Sequence, residues 1–294
     1  MRRRVIFNNR YLPYLLLAPQ ITITIIFFFW PASQAIYQSV LRQDPFGLRT
    51  TFVYLENFQT VLSDPLYLEA IRVSVLFSVS VTVIVMVLAL LFAVMADRQI
   101  RGAQTYKTLL LWPYALAPAV AAVLWIFIFH PSIGIVGKAL NSSGFQWEYQ
   151  LNGAQALLLV VVASSWKQIA HNFLFFLAGL QSVPTAIVEA AMIDGAGAWK
   201  LFRSVLFPLI SPTTFYLLTV NLVFAFFDTF GVIHALTQGG PGRSTTTLMY
   251  KVYTDGYVNL NLGHSAAQSV ILMLIVGALV WIQFRYVESR VHYS

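Results

Sequence analysis

Lys167 stands near the middle of an apolar run, residues 154–180, among Ser164, Ser165, Gln168, His171 and Asn172. Steps of three and four place positions 164, 167, 168, 171 and 172 within an arc of about 140° on a helix, so they form one polar stripe. A cation this far from either end of an apolar helix is costly, and such residues mark solute pathways by default. The next apolar run, 213–236, carries Thr214, Asn221 and Asp228 at steps of seven, again on one helical face. Asp228 falls ~22 Å from the start of its run at 1.5 Å per residue, a depth similar to that of Lys167. Two roles are open to these groups. Lys167, Gln168, His171, Asn172, Asn221 and Asp228 line a polar translocation path in which Lys167 attracts an anionic solute. Otherwise Lys167 and Asp228 form a buried pair, and the amides are hydrogen-bonded glue between helices.

The chemistry on offer is binding and passage. No nucleophile–base constellation or carboxylate pair lies in an aqueous segment, so no catalytic residue is expected. The chain has no cysteine, which excludes disulfides, thiol catalysis and Cys-ligated metal. Its five histidines are scattered, none at H-x-x-x-H spacing, so no metal site is expected. Gly137-Lys138 comes nearest to a phosphate-binding G-x-x-x-x-G-K-[ST] loop, but Ser132 replaces the first glycine and Ala139 follows the lysine. No nucleotide site, and no cofactor, is expected in this chain.

These side chains must be positioned by membrane helices. Of 294 residues 58% are hydrophobic and 10% charged, against about 25% charged in soluble domains. The expected fold class is all-α integral membrane. Six spans of about 20 residues, the length a ~30 Å hydrocarbon core demands, are expected at 11–33, 71–96, 108–129, 154–180, 213–236 and 264–285. The run from Tyr11 to Trp30 exceeds the apolar region of a signal peptide, about 7–15 residues, and is read as a retained helix. Pro113 and Pro118 should bend the third span, as ordinary membrane prolines or as part of a cavity wall.

Lys and Arg set the orientation. Arg2, Arg3, Arg4, Arg10, Arg98, Arg101, Lys107, Lys200, Arg203, Arg285 and Arg290 fall on one side; Arg42, Arg49, Lys138, Arg243 and Lys251 fall on the other. Both termini are therefore expected in the cytoplasm, and the loops at 34–70, 130–153 and 237–263 outside. The net charge of +7 is spread over helix ends, with no basic stripe for nucleic acid. The outer segment 237–262 opens with Gly239-Gly240-Pro241, a turn signal, followed by Leu248, Tyr250, Val252 and Tyr253 among polar residues. It suits an interfacial helix or a partner contact.

The cytoplasmic loop 189–212, EAAMIDGAGAWKLFRSVLFPLISP, has an apolar face that needs a partner at the membrane surface. It resembles the Glu-Ala-Ala motif of permease subunits of binding-protein-dependent ABC importers. The motif maps onto Glu189-Ala190-Ala191, Gly195, Val205 and Phe207-Pro208, with Val205 for isoleucine and Phe207 for leucine. Asp194-Gly195-Ala196 matches the form typical of carbohydrate-uptake permeases. RYLPYLLLAPQ at 10–20, WPYALAPAVAAVLWIFIF at 112–129, SSWKQIAHNFLFFLAGLQSVP at 164–184 and NLVFAFFDTF at 221–230 are similar to permeases of the sn-glycerol-3-phosphate importers.

The resemblance implies a type I ABC importer transmembrane domain at 71–285. An N-terminal tail, first helix and external loop would occupy 1–70, and a cytoplasmic tail 286–294. It implies half of a pathway for sn-glycerol 3-phosphate or glycerophosphodiesters in a bacterial inner membrane, with a neutral sugar or polyol as the other cargo class. A stand-alone ion-coupled transporter is the alternative of another class, and the docking loop argues against it. The implied partners are a second six-span permease, an ATPase homodimer that binds ATP and Mg, and an external solute-binding protein. Glu189, Ala190, Ala191, Asp194, Gly195, Val205 and Pro208 would couple to the ATPase, and Gly239, Gly240 and Pro241 would face the binding protein.

Overall fold

A computed structural model describes residues 11–44, 49–97 and 103–286. Of the basic residues that set the expected orientation, Arg2, Arg3, Arg4, Arg10, Arg98, Arg101 and Arg290 lie outside the described residues, as does most of the expected tail, 286–294. Among the described residues four helices are long and apolar enough to cross a bilayer: Leu12–Ser39, Pro65–Asp97, Gly153–Gln181 and Leu262–Arg285. Two bent pairs pass the same test, Gln104–Ala115 with Pro118–Phe129 and Ala198–Leu209 with Ser211–Asp228, which gives six spans if each pair counts as one.

The chain divides into two compact units. The first comprises residues up to Ser63 together with Val252–Ile271. Here the expected outer loop 34–70 is largely structured. The first helix runs on to Ser39, Leu41–Gln43 pairs antiparallel with Thr50–Phe52, and a helix follows at Glu56–Ser63. This hairpin is an addition to the all-α expectation. Its strands are three residues each, too short for alternation to reveal. The Asn57 amide donates to the carbonyls of Ser39 and Leu41, both at 2.8 Å, and so satisfies acceptors left open where the first helix ends. Arg42 pairs with Glu56. None of the first span's apolar window is buried within the chain, so this helix presents its surface to lipid or to another subunit.

The second unit comprises Asp64–Lys251 and the chain from Leu272 on. Its second span starts at Pro65 rather than 71, the proline taking the first helical turn where its missing N–H is harmless. Ala89, Ala93 and Ala96 form a stripe of small residues that lets this helix approach the fourth span closely, against Phe173, Phe176, Leu177 and Leu180. The fourth span is the most interior of the four long helices, with 61% of its window buried. Asn152 caps it, its side-chain oxygen accepting from the N–H groups of Ala154 and Gln155 at 3.0 and 3.3 Å.

Two expectations need correction. The third span is broken, not merely kinked. Trp112–Ala115 is a 3₁₀ turn, Leu116 and Ala117 are extended, and Pro118 opens a new helix bent 107° from the one before. The ring of Pro118 pushes Ala117 out of the α region, which separates the two halves. The fifth span, expected as one helix over 213–236, is Ser211–Val223, then a π-helical stretch Phe224–Asp228, then Phe230–Leu236.

Candidate functional site

The π-helical stretch decides where Asp228 points. In an α-helix seven residues nearly close two turns, so Asn221 and Asp228 would share a face. A π-helix closes its hydrogen bonds one residue later and turns less per residue. Asn221 is accordingly fully buried, whereas Asp228 is exposed to a cavity. The expectation that Thr214, Asn221 and Asp228 share one face fails for this reason.

The six polar residues expected on the path separate into two groups. Gln168, Asn172 and Asn221 form a buried network between the fourth and fifth spans. Asn221 donates to the side-chain oxygen of Asn172 at 2.7 Å, and its own oxygen accepts from Asn172 at 3.0 Å and from Gln168 at 3.1 Å. The Asn172 amide also donates to the Gln168 carbonyl at 3.0 Å. Lys167, His171 and Asp228 instead line a cavity of about 500 Å³ with Gln168, Tyr114, Pro118, Thr219, Val220, Val223 and Phe224. Lys167 and Asp228 make no ion pair with each other; Arg42 pairs instead with Glu56, and Lys251 with Asp64.

Tyr114 and Thr219 were not foreseen. Tyr114 stacks on His171 at 5.9 Å between ring centroids, and His171 meets Phe175 in a tilted contact at 4.8 Å. The break after Ala115 turns this part of the third span toward the cavity. Its sequence signal was the pair of prolines that flanks Tyr114.

On the loop with the Glu-Ala-Ala motif, Thr185–Ile193 is a helix that ends in a Schellman turn. Gly195 N–H donates to the Met192 carbonyl and Ala196 N–H to the Ala191 carbonyl, both at 3.0 Å. Gly195 has φ +77°, and a Cβ there would touch nothing, so conformation rather than space demands glycine. Glu189, Ala190, Asp194 and Gly195 are exposed, while Ala191, Val205 and Pro208 are half-buried. Met192, Ile193 and Trp199 expose large apolar surfaces, Ile193 at 86%. Beneath the helix lies a cavity of about 840 Å³ whose lining includes Asp97, Val188, Glu189, Met192 and Phe202. Pro208 precedes Ile210, where the chain bends 69° into Ser211–Asp228.

At the Gly-Gly-Pro turn, Gly239 is buried and Gly240 and Pro241 are half-buried; Gln238, Gly242 and Arg243 are the exposed neighbours. A Cβ on Gly239, φ +81°, would lie 2.7 Å from Thr246 Oγ1 and from the Tyr250 ring. Thr246 Oγ1 donates to the Gly239 carbonyl and Thr245 Oγ1 to that of Gly240, both at 3.0 Å. Tyr149, Gln150, Thr237 and Gln238 edge a shallow cavity beside Pro241. Burial pushes the Tyr149 phenol above its ordinary value, with a Gln150 hydrogen bond acting the other way.

A bundle of membrane helices with a mid-span polar cavity and an exposed apolar loop defines a multi-pass transport protein rather than an enzyme. Residues 69–293 match the family of binding-protein-dependent transport system inner membrane components, and the chain belongs to that family. It is a permease of an ABC importer. It is 60% identical over 292 residues to the sn-glycerol-3-phosphate transport system permease protein UgpA of Rhizobium meliloti (strain 1021), covering 99% of this chain and 100% of the relative. It is 53% identical over 291 residues to the protein of that name from Escherichia coli (strain UTI89 / UPEC), covering 99% of each. Among solved structures it is similar to a chain of the bacterial alginate ABC transporter in complex with alginate pentasaccharide-bound periplasmic protein, with TM-score 0.79, 20% identity and 96% of each chain covered. A chain of the MetNI methionine ABC transporter aligns at TM-score 0.56 over 81% of this chain and 99% of that one. These two likenesses concern the fold.

Proposed function

We propose that this chain forms half of the translocation pathway of an ATP-driven importer for sn-glycerol 3-phosphate, with glycerophosphodiesters as a related cargo. The observation that carries this is the 60% identity along the whole of a relative named for that transport. The cavity chemistry supports it independently. A phosphate monoester carries −1.5 to −2 charges at neutral pH, and Lys167 offers a cation on the cavity wall.

The exposed surfaces support the following reading of the remainder of the assembly. The loop Glu189, Ala190, Ala191, Asp194, Gly195, Val205 and Pro208 docks on an ATPase homodimer, with Met192, Ile193 and Trp199 as its apolar contacts. ATP and Mg bind in that ATPase, and this chain holds no cofactor. A second six-span permease completes the pathway, and the bare first span packs at the periphery against it. The turn at Gly239, Gly240 and Pro241 shapes the surface for a solute-binding protein, with Gln238 and Arg243 as its accessible side chains. Both termini lie in the cytoplasm, by the asymmetry of Lys and Arg. The transport domain occupies 71–285, flanked by 1–70 and 286–294.

The test is reconstitution with the three partner subunits in proteoliposomes. ATP-dependent uptake of sn-glycerol 3-phosphate is expected only when the binding protein is present. Uptake of a neutral sugar in its place would overturn the cargo, and uptake by the chain alone would overturn its role as a subunit.

A further inference from the structure

Opposite charges that share a membrane cavity normally close on each other, because an unpaired charge in a low-dielectric setting is expensive. Lys167 and Asp228 do not. Both line the cavity of about 500 Å³, and neither side chain makes a hydrogen bond or an ion pair among the described residues. The amide groups that could have quenched them are engaged elsewhere, Asn172 and Asn221 with each other and the Gln168 amide with Asn221. The fifth span adopts a π-helical stretch that ends at Asp228, which lifts the carboxylate off the buried Asn221 face and into the cavity. Two charges that line one cavity without pairing with each other are set for a solute that carries matching groups at its two ends.

We propose that Asp228 is a specificity-determining residue that accepts hydrogen bonds from the hydroxyl end of the cargo, while Lys167 takes its anionic end. The assignment rests on the proposed cargo. An ionised carboxylate is an acceptor only, so it recognises hydroxyl donors and repels a phosphate. The cavity therefore orients a short polyol phosphate, with phosphate toward Lys167 and hydroxyls toward Asp228. It rejects a simple anion, which satisfies Lys167 but faces Asp228 with like charge.

The experiment uses the complete importer in proteoliposomes, measuring uptake of sn-glycerol 3-phosphate and, separately, ATP hydrolysis stimulated by the loaded binding protein. Asp228→Leu should lower uptake about 10-fold or more, since a site built to bond a hydroxyl loses that bond. Asp228→Asn retains an oxygen acceptor and should stay within about 3-fold of wild type. Stimulated ATP hydrolysis should persist in both, which shows the variants folded and assembled. A mere counter-charge to Lys167 predicts the opposite pattern: Asp228→Asn would fail as badly as Asp228→Leu, and Lys167→Met combined with Asp228→Leu would recover uptake. Either result overturns the assignment, as does undiminished uptake by Asp228→Leu or loss of stimulated hydrolysis in both variants. A wild-type importer that does not move sn-glycerol 3-phosphate overturns the proposed cargo, and this assignment falls with it.

Discussion

Asn172 and Asn221 hydrogen-bond each other through both halves of their amides, at 2.7 and 3.0 Å, and neither exposes any surface. The fourth and fifth spans are thus fastened at one depth, and Gln168 adds a third amide to the fastening. Interhelical polar contacts in membranes contribute about 0.6 kcal/mol on average and up to about 1.7. Replacing Asn221 with Leu removes three such contacts and strands the amides of Asn172 and Gln168. The variant should lose about 2 kcal/mol and melt several degrees lower in detergent. An unchanged Tm would show that the network contributes no stability.

Lys167 tests the pathway itself. Lys167→Met keeps the length of the side chain and removes its charge, and it should abolish most ATP-dependent uptake of an anionic solute. Lys167→Arg should keep part of it, because the charge persists with a different geometry. Normal membrane levels of both variants make uptake the informative readout. Wild-type uptake by Lys167→Met would remove the lysine from the path.

Gly195 tests the coupling loop. Its left-handed conformation costs an L-residue about 1–2 kcal/mol, and the two hydrogen bonds of the turn depend on it. Gly195→Ala should therefore weaken ATP-driven uptake, and Gly195→Asn should be milder, since Asn enters that region more readily. The comparison is made on ATPase association, measured by co-purification, and on uptake. Equal behaviour of the two variants would mean that the turn does not present the helix.

Gly239 and Gly240 differ although they are neighbours. A Cβ on Gly239 would collide with Thr246 and Tyr250, whereas on Gly240 it would sit 3.4 Å from the Thr237 carbonyl. Gly239→Ala should reduce stimulation of ATP hydrolysis by the loaded binding protein, and Gly240→Ala should have a smaller effect. The reverse order would place the functional constraint on Gly240.

The membrane-length helices, and the helix and Gly195 turn of the Glu-Ala-Ala loop, were legible because their signals are local. Twenty apolar residues or a Glu-Ala-Ala run followed by Gly195 can be read without knowing what packs where. Less legible was everything set by backbone irregularity. The π-helical stretch before Asp228 has no composition of its own, so a strict α period put Asn221 and Asp228 on one face. The break at Ala117 was hinted at by Pro113 and Pro118, but a proline pair does not say whether a helix bends or stops. The separation of Lys167 from Asn172 was also hidden. Both belong to one polar stripe, and only the position of the fifth span decides which edge is sealed by amides and which faces open space.

The bend at Ile210 has a mechanical consequence. Ala198–Leu209 and Ser211–Asp228 are helical rods meeting at 69°, joined by a single residue that is almost wholly buried. Such an elbow has little slack to absorb displacement. On the proposed coupling, a push delivered near Trp199 would reach the far rod as torque and swing the helix that carries Asp228 in the manner of a bell crank.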